Sequence, residues 1–87
     1  MLMKNFSYTV KDKYGIHARP AGMLVKLAKE YKSEIEIERD GATVNATKLM
    51  ALMGMNVKCG ETVNVTINGE DEEAAAIAVE KFFADNL

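Results

Sequence analysis

A single cysteine, Cys59, excludes an intrachain disulfide, and one cysteine with one histidine cannot build a structural zinc site. A Cys–His–carboxylate site stays formally open, but no ligand spacing points to one, so no metal or cofactor is expected. No apolar run approaches the roughly 18 residues of a membrane span, which argues against membrane insertion. At the start, Met1-Leu2-Met3 meets Lys4 before any leader-type apolar region can form, and the expected location is the cytoplasm. No charge sign dominates: 11 Lys and Arg stand against 13 Asp and Glu, and a net charge of −2 argues against a general nucleic-acid binder. There is no paired-carboxylate pattern, no Ser-His-Asp set and no GxxxxGK loop, so the chain has no means to bind a nucleotide or run a full catalytic cycle alone. There is no internal repeat, low-complexity tract or linker. The 87 residues fit one domain, 1–87, with a thin core.

The near-neutral sum conceals a split. Residues 1–33 carry seven Lys/Arg against two acids, a net +5; residues 34–87 carry four against eleven, a net −7. Oppositely charged solvated faces explain this, and so does a basic face meant for an anion or an acidic partner.

Phe6, Tyr8 and Val10 alternate with polar residues, the period of a half-buried strand. Residues 11–17 read as a loop with Gly15. From about Ala18 the period changes: Leu24, Leu27, Ala28 and Tyr31 form a helical stripe, and Pro20 suits a first helical turn. Glu34 to Glu38 alternates strictly, Asp40-Gly41 predicts a type I′ hairpin, and Thr43 to Asn45 is the return strand. Leu49, Met50, Leu52 and Met53 predict a short helix that needs tertiary packing. Lys58-Cys59-Gly60 is a turn, and Val63, Val65 and Ile67 point inward from another strand. Asn68-Gly69 ends that strand. Acids 70–73 favour a helix start, with Ala75, Ala78, Val79 and Phe82 on the inner face. The order is βαββαβα. Strands with one apolar and one polar face belong to an antiparallel sheet covered on one side. The expected fold is therefore α+β, an open-faced two-layer sandwich of four antiparallel strands with three helices on one face.

The only histidine, His17, stands where a loop becomes a helix, in Gly15-Ile16-His17-Ala18-Arg19-Pro20-Ala21. The first amides of a helix lack internal partners and make an anion site. Here these are the Ala18 and Arg19 amides. Arg19 adds a permanent charge and a fork of donors suited to phosphate oxygens. A phosphoryl group on His17 would bring about two negative charges to donors already in place. Phosphoryl transfer is mostly positioning and charge stabilisation, so a small constellation suffices. A lone histidine at a helix start is, on spacing alone, more often a cap or a surface residue.

This motif resembles the phosphorylation site of the HPr family, the histidine-containing phosphocarriers of the bacterial phosphoenolpyruvate-dependent sugar phosphotransferase system. The resemblance extends to Gly41-Ala42-Thr43-Val44-Asn45, the apolar helix near Leu49 to Met53, the Lys58-Cys59-Gly60 turn and Gly69-Glu70-Asp71-Glu72, nearly the whole chain. It implies a monomeric carrier rather than a self-sufficient enzyme. Phospho-enzyme I would donate to Nδ1 of His17, Arg19 would accompany the phosphate, and the IIA component of a sugar permease would receive it. The partner surface would combine Ala18, Arg19, Lys26 and Lys29 with Leu49, Met50 and Met53. Lys26 and Lys29 suit acidic partners and faster encounter, and methionine suits docking to several partners. Core packing is the plain alternative for Leu49, Met50 and Met53, although a six-residue helix cannot bury them all.

One departure stands out. Family members of low-GC Gram-positive bacteria carry a regulatory serine at the start of the short helix; Lys48 occupies that position here. Lysine cannot take a phosphate ester, so regulation of that kind is expected to be absent. Thr47 is adjacent, but one residue off at a helix start changes its direction. Gly22, inside the first helix, suggests either close approach of a partner or tight packing of a neighbouring loop, the latter slightly preferred. Cys59 reads as an incidental loop thiol. A nitrogen-related branch of the same carriers would use the same His17 with other partners. A non-catalytic regulatory or RNA-binding α+β module would need exposed aromatics or a basic sheet. The outward positions are instead Glu34, Glu36, Glu38, Asn64 and Thr66. A paralogue lacking the histidine is excluded by His17 itself.

Overall fold

A computed structural model describes residues 3–87. The leader reading at Met1 and Leu2 lies outside the described residues. The elements are β1 (Lys4–Thr9), α1 (Ala18–Ala28), β2 (Glu34–Arg39), β3 (Ala42–Asn45), α2 (Leu49–Gly54), β4 (Thr62–Asn68) and α3 (Glu72–Asn86). The strands form one antiparallel sheet in the order β1-β4-β2-β3. β1 and β4 register through Phe6 opposite Val65, and β4 and β2 through Val65 opposite Ile37. Because side chains alternate with period two, this register stacks Phe6, Val65, Ile37 and Val44 on one face. The opposite face carries Ser7, Asn64 and Glu38, linked by hydrogen bonds from Ser7 to Asn64 and from Asn64 to Glu38. The expected two-layer, open-faced sandwich is what forms, and the polar ladder explains how its uncovered face tolerates water.

Asp40 and Gly41 both adopt positive φ, 51° and 85°, as a type I′ hairpin turn requires. The Gly41 amide donates to Glu38 Oε2, closing the turn. The core unites Val63, Val65, Ile67, Ile35 and Ile37 of the sheet with Leu24, Ala21 and Ala28 of α1, Leu52 of α2 and Ala75, Val79 and Phe83 of α3. Phe83, not Phe82, is the large anchor of α3: it is fully buried and meets Phe6 and Tyr8 edge-on, while Phe82 is half-buried. Residues 75, 79 and 83 follow an i, i+4, i+8 row, and the sheet lies along that row rather than along 75, 78 and 82. Tyr31 falls three residues beyond the end of α1, though it still packs against the core.

Two loops are tied down without regular structure. Asp71 accepts the amides of Lys32 and Ser33 and the Ser33 hydroxyl, joining the connection between α1 and β2 to the start of α3. These bonds, the Ser33 hydroxyl first, hold the Asp71 carboxyl below the usual range. Arg39 donates from Nη1 to the Asn56 carbonyl and to Glu61 Oε1, both at 3.1 Å, and Glu61 also accepts the Lys58 amide. The connection between α2 and β4 is thereby fixed to the sheet. No helix among the described residues is long and apolar enough to cross a membrane.

Candidate functional site

The loop between β1 and α1 is shaped by contacts with two other segments. The Lys11 and Asp12 amides donate to the Leu87 carbonyl, and the Gly15 amide donates to the Asp12 carbonyl at 2.9 Å. The Ile16 amide donates to the Val57 carbonyl at 3.0 Å, and the Ile16 side chain is buried. Gly15 has φ +69°, and a Cβ built there would lie 2.1 Å from the Val57 carbonyl oxygen. Glycine is therefore required twice over, for its backbone angle and for close approach. The backbone it approaches is Val57–Lys58 rather than the end of the helix it precedes.

His17 follows at the N-cap of α1 in extended conformation, and its side chain makes no capping hydrogen bond. Its ring is consequently left projecting, half-exposed, instead of being used as a cap. The first helical bond closes from the Ala21 amide to the His17 carbonyl at 2.9 Å. The amides of Ala18 and Arg19 stand ahead of that bond, and Pro20 has no N–H to offer. Ala18 and Arg19 are exposed, whereas Pro20 and Ala21 are buried and fix the helix end to the core. None of the ion pairs among the described residues uses Arg19. A cavity of about 350 Å³ is lined by Asp12, Tyr14, His17, Arg19, Pro20, Met23 and Asn86. Arg19 and the imidazole thus share one open depression at the start of α1, an arrangement suited to a tetrahedral anion on the ring.

Several of these residues carry no sequence signal for the site. Asp12 Oδ1 lies 3.8 Å from His17 Nε2 and accepts the Tyr14 amide at 2.8 Å. The Tyr14 ring meets the imidazole edge-on at 5.7 Å, with Lys13 Nζ 4.9 Å from the Tyr14 ring centre. Met23, one turn after Arg19, is 45% exposed at the rim. Only its i+4 spacing from Arg19 could have flagged it.

The short helix α2 packs against α1. Leu52 is its one fully buried residue, while Leu49 is 40%, Met50 80% and Met53 40% exposed. Core packing is therefore not their common role. Lys26 and Lys29 are exposed on α1 and its C-cap. Lys48 is the exposed N-cap of α2, and solvent screens its charge against the helix dipole. Thr47 is half-buried, and its hydroxyl donates to Asn45 Oδ1 at 2.7 Å. A Cβ at Gly22 would meet nothing within 4 Å. The expectation of tight loop packing there is overturned, because no loop comes near. Cys59 is exposed, with Sγ 3.6 Å from the Lys11 carbonyl.

Comparison with known proteins agrees with this geometry. The family model for the PTS HPr component phosphorylation site matches residues 4–85. A phosphocarrier protein HPr of Treponema pallidum is 39% identical over 78 residues, covering 90% of this chain and 89% of that protein. An HPr-like protein Crh of Halalkalibacterium halodurans is 42% identical over 73 residues, covering 84% and 87%. The solved histidine-containing phosphocarrier protein of a Mycoplasma superposes with a TM-score of 0.91 at 33% identity, over 94% and 93% of the two chains. A dimeric HPr of Thermoanaerobacter tengcongensis superposes with a TM-score of 0.75 at 35% identity, over 94% of each chain. With the motif, the fold and the depression around His17 all in agreement, the chain belongs to the HPr family of phosphotransferase-system phosphocarriers.

Proposed function

We propose that the chain accepts a phosphoryl group on Nδ1 of His17 from phosphorylated enzyme I and passes it to the IIA component of a sugar permease. The observation that carries this reading is the uncapped imidazole at the N-cap of α1, beside the free amides of Ala18 and Arg19. In the accepting step the Nδ1 lone pair forms the bond to phosphorus, and the bond to the donor breaks with its electron pair leaving on the donor. The incoming oxygens are met by the helix amides and by Arg19, which is half of what phosphoryl transfer needs. Donor and acceptor supply the rest, so the chain acts as a cytoplasmic carrier and not as an independent catalyst.

The docking face in this reading runs from Ala18, Arg19 and the rim residue Met23 to Leu49, Met50 and Met53, with Lys26 and Lys29 alongside. An apolar centre with a charged rim is the usual anatomy of a transient interface. Lys48 and the engaged Thr47 hydroxyl support the absence of serine-type regulation. The chain works as a monomer in this reading, which light scattering at working concentration tests directly.

Incubation with phosphoenolpyruvate and enzyme I tests the assignment. One acid-labile, base-stable phosphate is expected, lost in His17→Ala; undiminished labelling of that variant refutes it. The identity to a Crh protein favours a second reading, a regulatory member of the same family. That reading predicts no turnover of phosphate through His17. Transfer from the phosphorylated chain to a sugar-type or a nitrogen-type IIA component separates the two carrier branches.

A further inference from the structure

We propose that Asp12 is a positioning residue for this exchange: its carboxylate holds the ring proton of His17 on Nε2, leaving Nδ1 to take the phosphoryl group and keeping the ring protonated when that group departs. The proposal rests on the reading of His17 as phosphoacceptor.

The Asp12 carboxylate has a defined place. Its residue is held by three backbone contacts: its amide donates to the Leu87 carbonyl at 2.8 Å, its carbonyl accepts the Gly15 amide at 2.9 Å, and its Oδ1 accepts the Tyr14 amide at 2.8 Å. The same Oδ1 stands 3.8 Å from Nε2. Positive groups stand near the ring: Arg19 shares the cavity, Lys13 sits over the Tyr14 ring, and the helix end adds partial positive charge. Among the described residues Asp12 is the one acidic side chain lining that cavity, and it faces Nε2. The Tyr14 ring packs edge-on against the imidazole and limits its swing away from the carboxylate.

The chemical consequence concerns both directions of transfer. An imidazole carrying its proton on Nε2 presents its lone pair at Nδ1. Once Nδ1 is phosphorylated, a proton retained on Nε2 makes the ring a good leaving group. When the Nδ1–phosphorus bond breaks, its electron pair returns to Nδ1, the acceptor forms the new bond to phosphorus, and the ring is left neutral with Nε2–H. No further proton has to be delivered. The negative charge of Asp12 at 3.8 Å attracts the positively charged, phosphorylated ring.

The test compares the wild-type protein with Asp12→Asn, whose side-chain oxygen still accepts the Tyr14 amide while the charge is gone. Both are phosphorylated with phosphoenolpyruvate and a trace of enzyme I, freed of enzyme I, and followed by intact mass at pH 8. The variant is expected to lose its phosphate to water about sixfold more slowly, and Asp12→Glu to recover part of the lability. In the unphosphorylated proteins, the separation between the two ring ¹⁵N resonances is expected to narrow in Asp12→Asn as the proton is released from Nε2. Equal lifetimes or unchanged ring resonances overturn the proposal. Should Asp12→Asn not fold, Asp12→Ser keeps a turn acceptor and gives the same readouts. A wild-type protein that takes no phosphate, yet shows the ring-proton difference, defeats the carrier reading and leaves the placement by Asp12 standing.

Discussion

Replacing Gly15 by alanine perturbs the site through the backbone alone. The native φ of +69° disfavours any side chain, at about 1–2 kcal/mol. The new Cβ would also lie 2.1 Å from the Val57 carbonyl oxygen and 2.8 Å from Lys58 Cα. Both are main-chain atoms, so no rotamer change relieves the overlap. The loop must withdraw, and this breaks the hydrogen bond from the Ile16 amide to Val57, worth about 1 kcal/mol. It also lifts the buried Ile16 side chain partly out of the core, at about 1–2 kcal/mol. Together these come to about 3–5 kcal/mol, a large part of the roughly 4–13 kcal/mol typical of a domain of 87 residues. With a urea m-value of about 1.5 kcal/mol/M, the midpoint falls by about 2–3 M. Gly22→Ala is the control, since its Cβ meets nothing within 4 Å in the neighbouring helix. That change is expected to stabilise by up to about 1 kcal/mol. If Gly15→Ala unfolds at the wild-type midpoint with an unchanged m-value, the closeness of this loop to Val57 is not what holds His17 in place.

Phe83→Ala should cost about 3–5 kcal/mol in thermal or urea unfolding, and the half-buried Phe82 distinctly less; equal losses would refute the assignment of the α3 inner row. Met50→Gln, at an 80% exposed position, should leave stability within about 0.5 kcal/mol while slowing phosphoryl transfer to and from partners in a coupled assay. Hydrogen bonds depress both Asp71, chiefly from the Ser33 hydroxyl, and Glu38, chiefly from Asn64. A depressed folded value means that the unfolded chain binds protons first. The stabilisation is therefore present above the ordinary carboxylate range and is lost as pH falls through the folded values. Asp71→Ala should accordingly lower the urea midpoint at neutral pH and flatten its decline on acidification. Incubation with an ATP-dependent HPr kinase should leave the chain unphosphorylated by intact mass, because Lys48 has no hydroxyl and Thr47 donates its own to Asn45.

Much of this protein was legible one element at a time. Alternation in Glu34–Arg39 and Thr62–Asn68 reads as strand because period two is a local property. Asp40-Gly41 reads as a turn because few residue pairs accept two positive φ angles. Where two faces compete, periodicity is silent: Phe82 and Phe83 both fit an inner row, and the sheet's position chose Phe83. At Gly22 the sequence shows a costly residue without a cause, and the fold removes the packing explanation by leaving its surroundings open.

The candidate site divides along the same line. His17, Ala18, Arg19 and Pro20 are contiguous, so one helix start places them, and the sequence alone shows that an imidazole, two amides and a guanidinium gather there. What bears on the ring from elsewhere was decided only by folding. Val57 reaches Gly15 across the connection from α2 to β4, Arg39 pins that connection from β2, and the Leu87 carbonyl holds Lys11 and Asp12 from the far end of the chain. Asp12 is close to His17 in sequence, but its bearing on Nε2 depends on those distant bonds. Local backbone preference extends over a few residues, whereas the direction of a side chain in a loop depends on what the loop is packed against, and that is a property of the closed tertiary structure.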